Sequence, residues 1–244
     1  AKSLTGIMTK LHQCKYRFGL TGTLDGSQTH KLVLEGLFGT VEKVVSTKEL
    51  IDKNTLAKLK IKCIVLKHPS IRERMDYAEE IDYLVSKETR NKFILDLCKT
   101  ISGNTLCLFQ LVEKHGKILY DGMKGGENVY FVYGGTDTDQ REKIRGMVEG
   151  HTKSTTIASY GTFSTGINIR NINNIVLASP SKSKIRVLQS IGRGLRTSST
   201  KDSILIFDIA DDISYGERRN FTLNHFFERI NIYNEEQFNY EISK

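Results

Sequence analysis

Two spacings of apolar residues alternate along this chain. Compact apolar runs at 105–109, 129–133, 155–159, 174–178 and 203–209 read as strands. Between them, at 112–123 and 139–148, apolar residues return every third or fourth position, the spacing of one helix face. Short strands alternating with helices predict an α/β fold, a parallel sheet with helices on both faces. Upstream, Tyr77, Ile81 and Leu84 predict one helix, and Phe93, Ile94, Leu97 and Ile101 a second that Gly103 ends. Further strands are expected at 16–20, 41–45 and 59–66, with a short helix at 47–51 and a mixed helical pattern around Leu4, Ile7, Met8 and Leu11. Beyond 217 the pattern is helical and aromatic-rich, through Phe221, Leu223, Phe226, Phe227, Ile230 and Tyr233, and 238–242 alternates like a strand.

One helical stretch carries more than packing information. From about 183 to 196, Leu188, Ile191 and Leu195 share one side of a helix, while Gln189, Arg193 and Arg196 share the other. The apolar side should be buried. The opposite side presents an amide and two guanidiniums, and a guanidinium is a planar fork of donors suited to phosphate. This face therefore reads as a phosphate clamp.

Sites in parallel sheets gather at the carboxyl ends of the strands. There the chain places Tyr133, Gly134, Gly135 and Thr136, followed by Arg141, and then 159–166, rich in Gly, Ser and Thr. Glycines permit close backbone approach, and hydroxyls can bond phosphate oxygens. An ordinary turn reads the same way. The last strand ends in Asp208, Asp211 and Asp212, read as a solvated acidic turn in preference to a metal site. Arg218, Arg219 and Arg229 are interleaved with the tail aromatics, where helix packing is favoured over base stacking.

Composition narrows the class. The 244 residues are 39% hydrophobic, enough for a core, and carry a formal charge of +8 with a pI of about 9.2. That balance favours a polyanionic partner, nucleic acid before membrane. Cys14, Cys63, Cys98 and Cys107 have no CxxC spacing and read as reduced thiols, neither disulfides nor a zinc site. No apolar run approaches the ~20 residues of a membrane span.

Taken together the pieces resemble the second half of a superfamily 2 helicase, and within that family the phage branch-migration helicases. Gln189 to Arg196 matches the Q-x-x-G-R-x-x-R pattern of motif VI. Residues 159–169 with 174–177 look like motif V. Residues 133–136 with Arg141 look like the motif between IV and V, 106–109 like motif IV, and Thr21, Gly22 and Thr23 like motif III. The resemblance implies a RecA-like fold. Residues 1–40 would end a preceding RecA-like lobe, 41–70 connect, 71–216 form the second lobe, and 217–244 a helical extension. It implies ATP with Mg²⁺, held mainly by a first lobe, and Arg193 and Arg196 as arginine fingers with Gln189 beside them. Gly166, Asn168 and Gly192 would lie near the nucleotide. Gly134, Gly135, Thr136, Arg141, Ser159, Tyr160 and Gly161 would line DNA, with RNA also admissible, and Thr21, Gly22 and Thr23 would couple the lobes. A cytoplasmic setting and a role in recombination or repair go with it.

Two departures qualify this. The chain has no G-x-x-x-x-G-K-[ST] loop and no D-E-x-H or D-E-A-D box, so the phosphate cradle and magnesium carboxylates are expected upstream of Ala1, and the chain alone is expected not to hydrolyse ATP. In motif V, Asn168 stands where the family often has Asp. A non-catalytic nucleic-acid-binding module of the same fold is the competing reading.

Overall fold

The computed structural model describes residues 2–21, 28–42, 44–165, 169–179, 191, 192, 195 and 203–243. The chain divides into two units, Ala1–Ser46 and Thr47–Lys244.

The second unit is built on a seven-stranded sheet in which every strand pair is parallel. Its strands are β1 (Lys58–Lys67), β2 (Asn104–Phe109), β3 (Val129–Val132), β4 (Ser154–Ser159), β5 (Ile172–Leu177), β6 (Ser203–Asp212) and β7 (Tyr240–Ser243), in spatial order β3-β4-β2-β5-β6-β1-β7. Burial follows position. Every residue of β2 and β4 is buried, as central strands covered on both faces require. In β1, next to the edge, Leu59, Ile61, Cys63 and Val65 point into the core, while Lys58 and Lys60 face solvent.

The helices of this unit include α3 (Thr47–Asp52), α4 (Tyr77–Ser86), α5 (Glu88–Thr100), α6 (Lys117–Met123), α7 (Thr138–Gly150), α8 (Tyr160–Thr165) and α9 (Phe221–Glu235). One apolar layer joins Ile144 and Val148 of α7 with Leu223, Phe226, Ile230 and Tyr233 of α9. The other joins Ile94 and Cys98 of α5 with Leu119 and Met123 of α6, beside a stack of Phe109, Phe131 and Tyr120. Just before α6, Val112–Gly116 forms one turn of π-helix. A Cβ on Gly116 would sit 2.5 Å from the Phe109 ring, so only glycine lets this turn close onto β2. Gly103 turns the chain from α5 into β2 at φ +85°, and Asn173 fills the space where a Cβ would project.

Three expectations need correcting. The strands expected at 16–20 and 41–45 are absent among the described residues of the first unit, which there holds α1 (Lys2–Met8) and α2 (Gln28–Phe38). Apolar alternation makes a strand only where a partner ladder satisfies its backbone, and no such ladder forms around Phe18 or Leu20, which are 83% and 99% exposed. The stretch after Ser159, for which an ordinary turn is the alternative reading, is helix α8 through Thr165, begun by the Ser159 hydroxyl accepting from the Thr162 amide at 3.3 Å. The strand expected at 59–66 pairs along its whole length with β6, so part of the expected connector is built into the sheet.

The acidic end of β6 is a further correction. Asp208 and Asp211 are fully buried, not solvated. Arg229 of α9 grips Asp208 through Nε and Nη2, at 2.9 and 2.7 Å, and the Tyr233 hydroxyl donates to it at 2.8 Å. Arg90 of α5 donates to Asp211 at 2.8 Å, and His68 lies 2.9 Å from the same oxygen. Inward-facing carboxylates in a core persist only when paired in this way. Burial alone would raise the Asp211 carboxyl, but Arg90 and His68 outweigh it and hold the group below the usual carboxylate range.

Candidate functional site

The parallel registers set a row of residues along the carboxyl edge. Phe109 pairs with Ser159, Val132 with Ala158, and Leu108 with Leu177. The row therefore runs from Tyr133 after β3, through Ser159 in β4 and Gln110 after β2, to Ser179 after β5.

At β3 the turn is closed from within. The Thr136 amide donates to the Tyr133 carbonyl at 3.0 Å, and the Thr136 hydroxyl accepts from the Tyr133 amide at 3.1 Å. Thr136 is buried, which leaves Gly134 and Gly135 as the exposed backbone of the turn. Arg141, one helical turn into α7, donates to the carbonyls of Gly134 and Tyr133 at 3.1 and 3.4 Å. It braces the turn. At β4, Ser159 and Tyr160 are buried and Gly161 is exposed. The Tyr160 hydroxyl donates to the Ser179 carbonyl at 2.9 Å. Of the residues proposed to line nucleic acid, then, Gly134, Gly135 and Gly161 present surface, and Thr136, Arg141, Ser159 and Tyr160 hold that surface in place.

Ser179 is a hub that sequence reading passed over. Its hydroxyl accepts from the Gln110 amide at 3.2 Å and lies 2.9 Å from His115 Nδ1, in the π turn. Arg90 donates to the neighbouring Ala178 carbonyl at 2.8 Å. Ser179 thus ties the ends of β2, β4 and β5 together. Gln110 and Ser179 each lie at the end of an apolar run, and the strand-end rule could have singled them out.

His115 is fully buried. Burial first, and the nearby Arg90 charge second, push its imidazole down to about 3. Because the unfolded chain takes up the proton first as pH falls, His115 adds nothing to instability above about pH 6.5. Below that it removes about 1.4 kcal/mol per pH unit until the folded group titrates. Wild-type protein is expected to lose about 2 kcal/mol from this residue between pH 7 and pH 5. Urea melts at the two pH values should show His115→Gln losing correspondingly less, and equal losses would contradict the assignment.

The remaining candidates are placed only in part. Thr21 is exposed. Gly22, Thr23, Gly166, Asn168, Gln189, Arg193 and Arg196 lie outside the described residues. Within 189–196, Ile191 and Leu195 are buried and Gly192 is exposed. The Leu195 amide donates to the Ile191 carbonyl at 2.9 Å, a helical bond, and the Leu195 carbonyl accepts from Ala57 at 2.8 Å. The apolar side of this stretch is thus anchored to the sheet unit. Among the described residues, no three His, Cys, Asp or Glu side chains are arranged to hold a metal ion. No described helix is long and apolar enough to cross a membrane.

Comparison with known proteins places the fold in a family. Residues 76–198 match the helicase conserved C-terminal domain. The chain belongs to that family. It is 34% identical to the ATP-dependent DNA helicase UvsW of Enterobacteria phage T4 over 257 aligned positions, covering 98% of this chain and 51% of that protein. The solved structure of T4 UvsW superposes with a TM-score of 0.66 at 32% identity, over 99% of this chain and 51% of its own. Dbp5 of S. cerevisiae, solved bound to RNA and ADP BeF3, shares the fold at a TM-score of 0.56 and 13% identity, over 91% of this chain and 50% of its own. The sheet unit is accordingly the RecA-like fold of helicase C-terminal domains. The chain spans about half the length of these relatives.

Proposed function

We propose that this chain supplies the second RecA-like lobe of an ATP-dependent superfamily 2 DNA helicase, one that remodels branched DNA in recombination or repair. The observation that carries the reading is the orientation of the 189–196 stretch. Ile191 and Leu195 are buried and Gly192 is exposed, and helical spacing in the sequence sets Arg193 and Arg196 on the side opposite the two buried residues. Two guanidiniums on such a face suit a γ-phosphate presented by another lobe, where they would stabilise charge developing in phosphoryl transfer. ATP and Mg²⁺ would be held mainly by that lobe, since this sequence has no phosphate-cradling loop. The exposed backbone at Gly134, Gly135 and Gly161 would lie along the DNA. Similarity to an ATP-dependent DNA helicase over nearly the whole chain supports the same reading.

The missing phosphate loop also favours a second reading for the chain by itself, a nucleic-acid-binding module without catalysis. One set of measurements separates the two. The chain alone should bind DNA with an affinity that falls steeply as salt rises, and should hydrolyse no ATP. Joined to a first lobe that carries the phosphate loop, it should show DNA-stimulated turnover and act on branched substrates in preference to linear ones. Robust hydrolysis by the chain alone, or no DNA-stimulated turnover after joining, would overturn the helicase assignment.

A further inference from the structure

The row along the carboxyl edge does not stop at Gly161. Next to Ser159 comes Gln110, and beside it a slot of about 190 Å³ opens between the end of β2 and helix α4. Its walls are Tyr77, Ala78 and Ile81 from α4 and Leu111 from the loop after β2, with Ser179 and Gln110 on the sheet side. We infer that this slot takes one nucleobase of a single strand whose backbone lies along Gly134, Gly135 and Gly161. The inference rests on the nucleic-acid reading proposed above and extends it to a site for the base itself.

The chemistry of the lining separates a base from a phosphate. The walls are aliphatic and aromatic, which suits a flat, weakly polar ring. The acid of the lining, Asp82, is ion-paired with Lys114. No residue of the lining is cationic, and with Asp82 neutralised by Lys114 the lining is dominated by apolar and amide groups, which suit a base more than a phosphate. Gln110 is exposed, and among the described residues its side-chain amide makes no hydrogen bond, so both its donors and its acceptor remain available for a base edge. A base-shaped opening next to backbone-lined surface is the arrangement that single-strand binding uses, with phosphates positioning and stacking adding affinity.

The slot is also rigidly backed. Ser179 holds the Gln110 backbone in place through its hydroxyl. On the other side, Tyr77 packs edge-on against Phe221 and His225 of α9, at ring separations of 6.3 and 5.1 Å. The start of α9 is held in turn by Glu80 of α4, which accepts from the Phe221 and Thr222 amides at 2.8 and 2.6 Å. A larger cleft of about 370 Å³, between 71–75 and 213–221, lacks this character. There Arg218 is committed to the carbonyls of Ile71, Arg72 and Glu73, and Glu73 and Arg74 offer opposite charges side by side.

The test uses the whole chain and single strands on the order of ten nucleotides, in DNA and RNA versions, each with one abasic position moved along its length. Fluorescence anisotropy is read against salt. For wild-type protein, one abasic position should weaken binding by about ten-fold in either strand. Ala78→Trp, which fills the slot from an exposed helix position, should bind the intact strand about as weakly as wild type binds that abasic strand, with an unchanged salt slope. Gln110→Ala, also on the surface, should lower the intact-strand preference by several-fold. A wild-type profile flat at every abasic position, or an intact-strand preference that survives both substitutions, overturns the slot and leaves the backbone track standing. Failure of wild-type protein to bind either strand at low salt overturns the track and the slot together.

Discussion

Arg196→Ala, in a chain joined to its first lobe, is expected to lower DNA-stimulated ATP turnover by about 10³-fold or more, while DNA affinity changes by less than about three-fold. The two effects separate because they arise at different places. The exposed glycine backbone at the ends of β3 and β4 is proposed to face nucleic acid, whereas the 189–196 stretch is anchored beside Ala57 by the Leu195 carbonyl. An arginine finger acts on charge that exists only in the transition state, so its loss should appear in kcat with little change in KM for ATP. Arg196→Lys should recover only a minor part, because an ammonium lacks the planar fork. Arg193→Ala should behave similarly, and the double variant should be little worse than either single one, since groups that act as a unit are not additive. The measurement is steady-state hydrolysis with and without DNA, beside a binding titration. Turnover within a few-fold of wild type would show that these arginines do not touch the reacting phosphate.

Much of the fold is legible in the sequence, and the parts that are not have a common cause. Strands β2, β4, β5 and β6 announce themselves because central parallel strands are apolar or small on both faces. The buried side of the 189–196 stretch is legible because helical periodicity puts Ile191 and Leu195 on one face. What local pattern hides is pairing at a distance. The run at 58–67 looks like an isolated strand until β6, far along the chain, pairs with it. Asp208 and Asp211 look like a solvated turn because acidic residues after an apolar run usually are. Their partners Arg229, Arg90 and His68 lie 21, 121 and 143 residues away in sequence. The candidate nucleic-acid residues show the same limit in miniature. Motif position locates 133–136 and 159–161, but it does not say that Thr136 and Tyr160 face inward while Gly134 and Gly161 face out. Gln110 and Ser179 end apolar runs, which marks them only as strand-end residues, and their particular roles come from neighbours in other strands.

Arg229→Met is expected to destabilise the sheet unit by about 3–5 kcal/mol, because it leaves Asp208 charged, fully buried and held by Tyr233 alone among its side-chain partners. For a unit of this size that corresponds to a fall in Tm of roughly 10 °C. The penalty belongs to the orphaned carboxylate more than to the lost pair, and a second substitution tests this. Removing the charge as well, in Asp208→Leu with Arg229→Met, should restore most of the lost stability, since an apolar pair of similar volume replaces two desolvated ions. The Tyr233 hydroxyl would then lose its acceptor, so recovery should be incomplete by about 1–3 kcal/mol. Thermal melts followed by circular dichroism give all three values. A single variant that melts within a degree of wild type would mean that α9 is held by its apolar face alone, through Leu223, Phe226 and Ile230. Because Phe221 and His225 of the same helix back Tyr77, detaching α9 should also loosen the slot wall. Near its lowered Tm, Arg229→Met should therefore lose its preference for an intact strand over an abasic one before it loses salt-dependent binding.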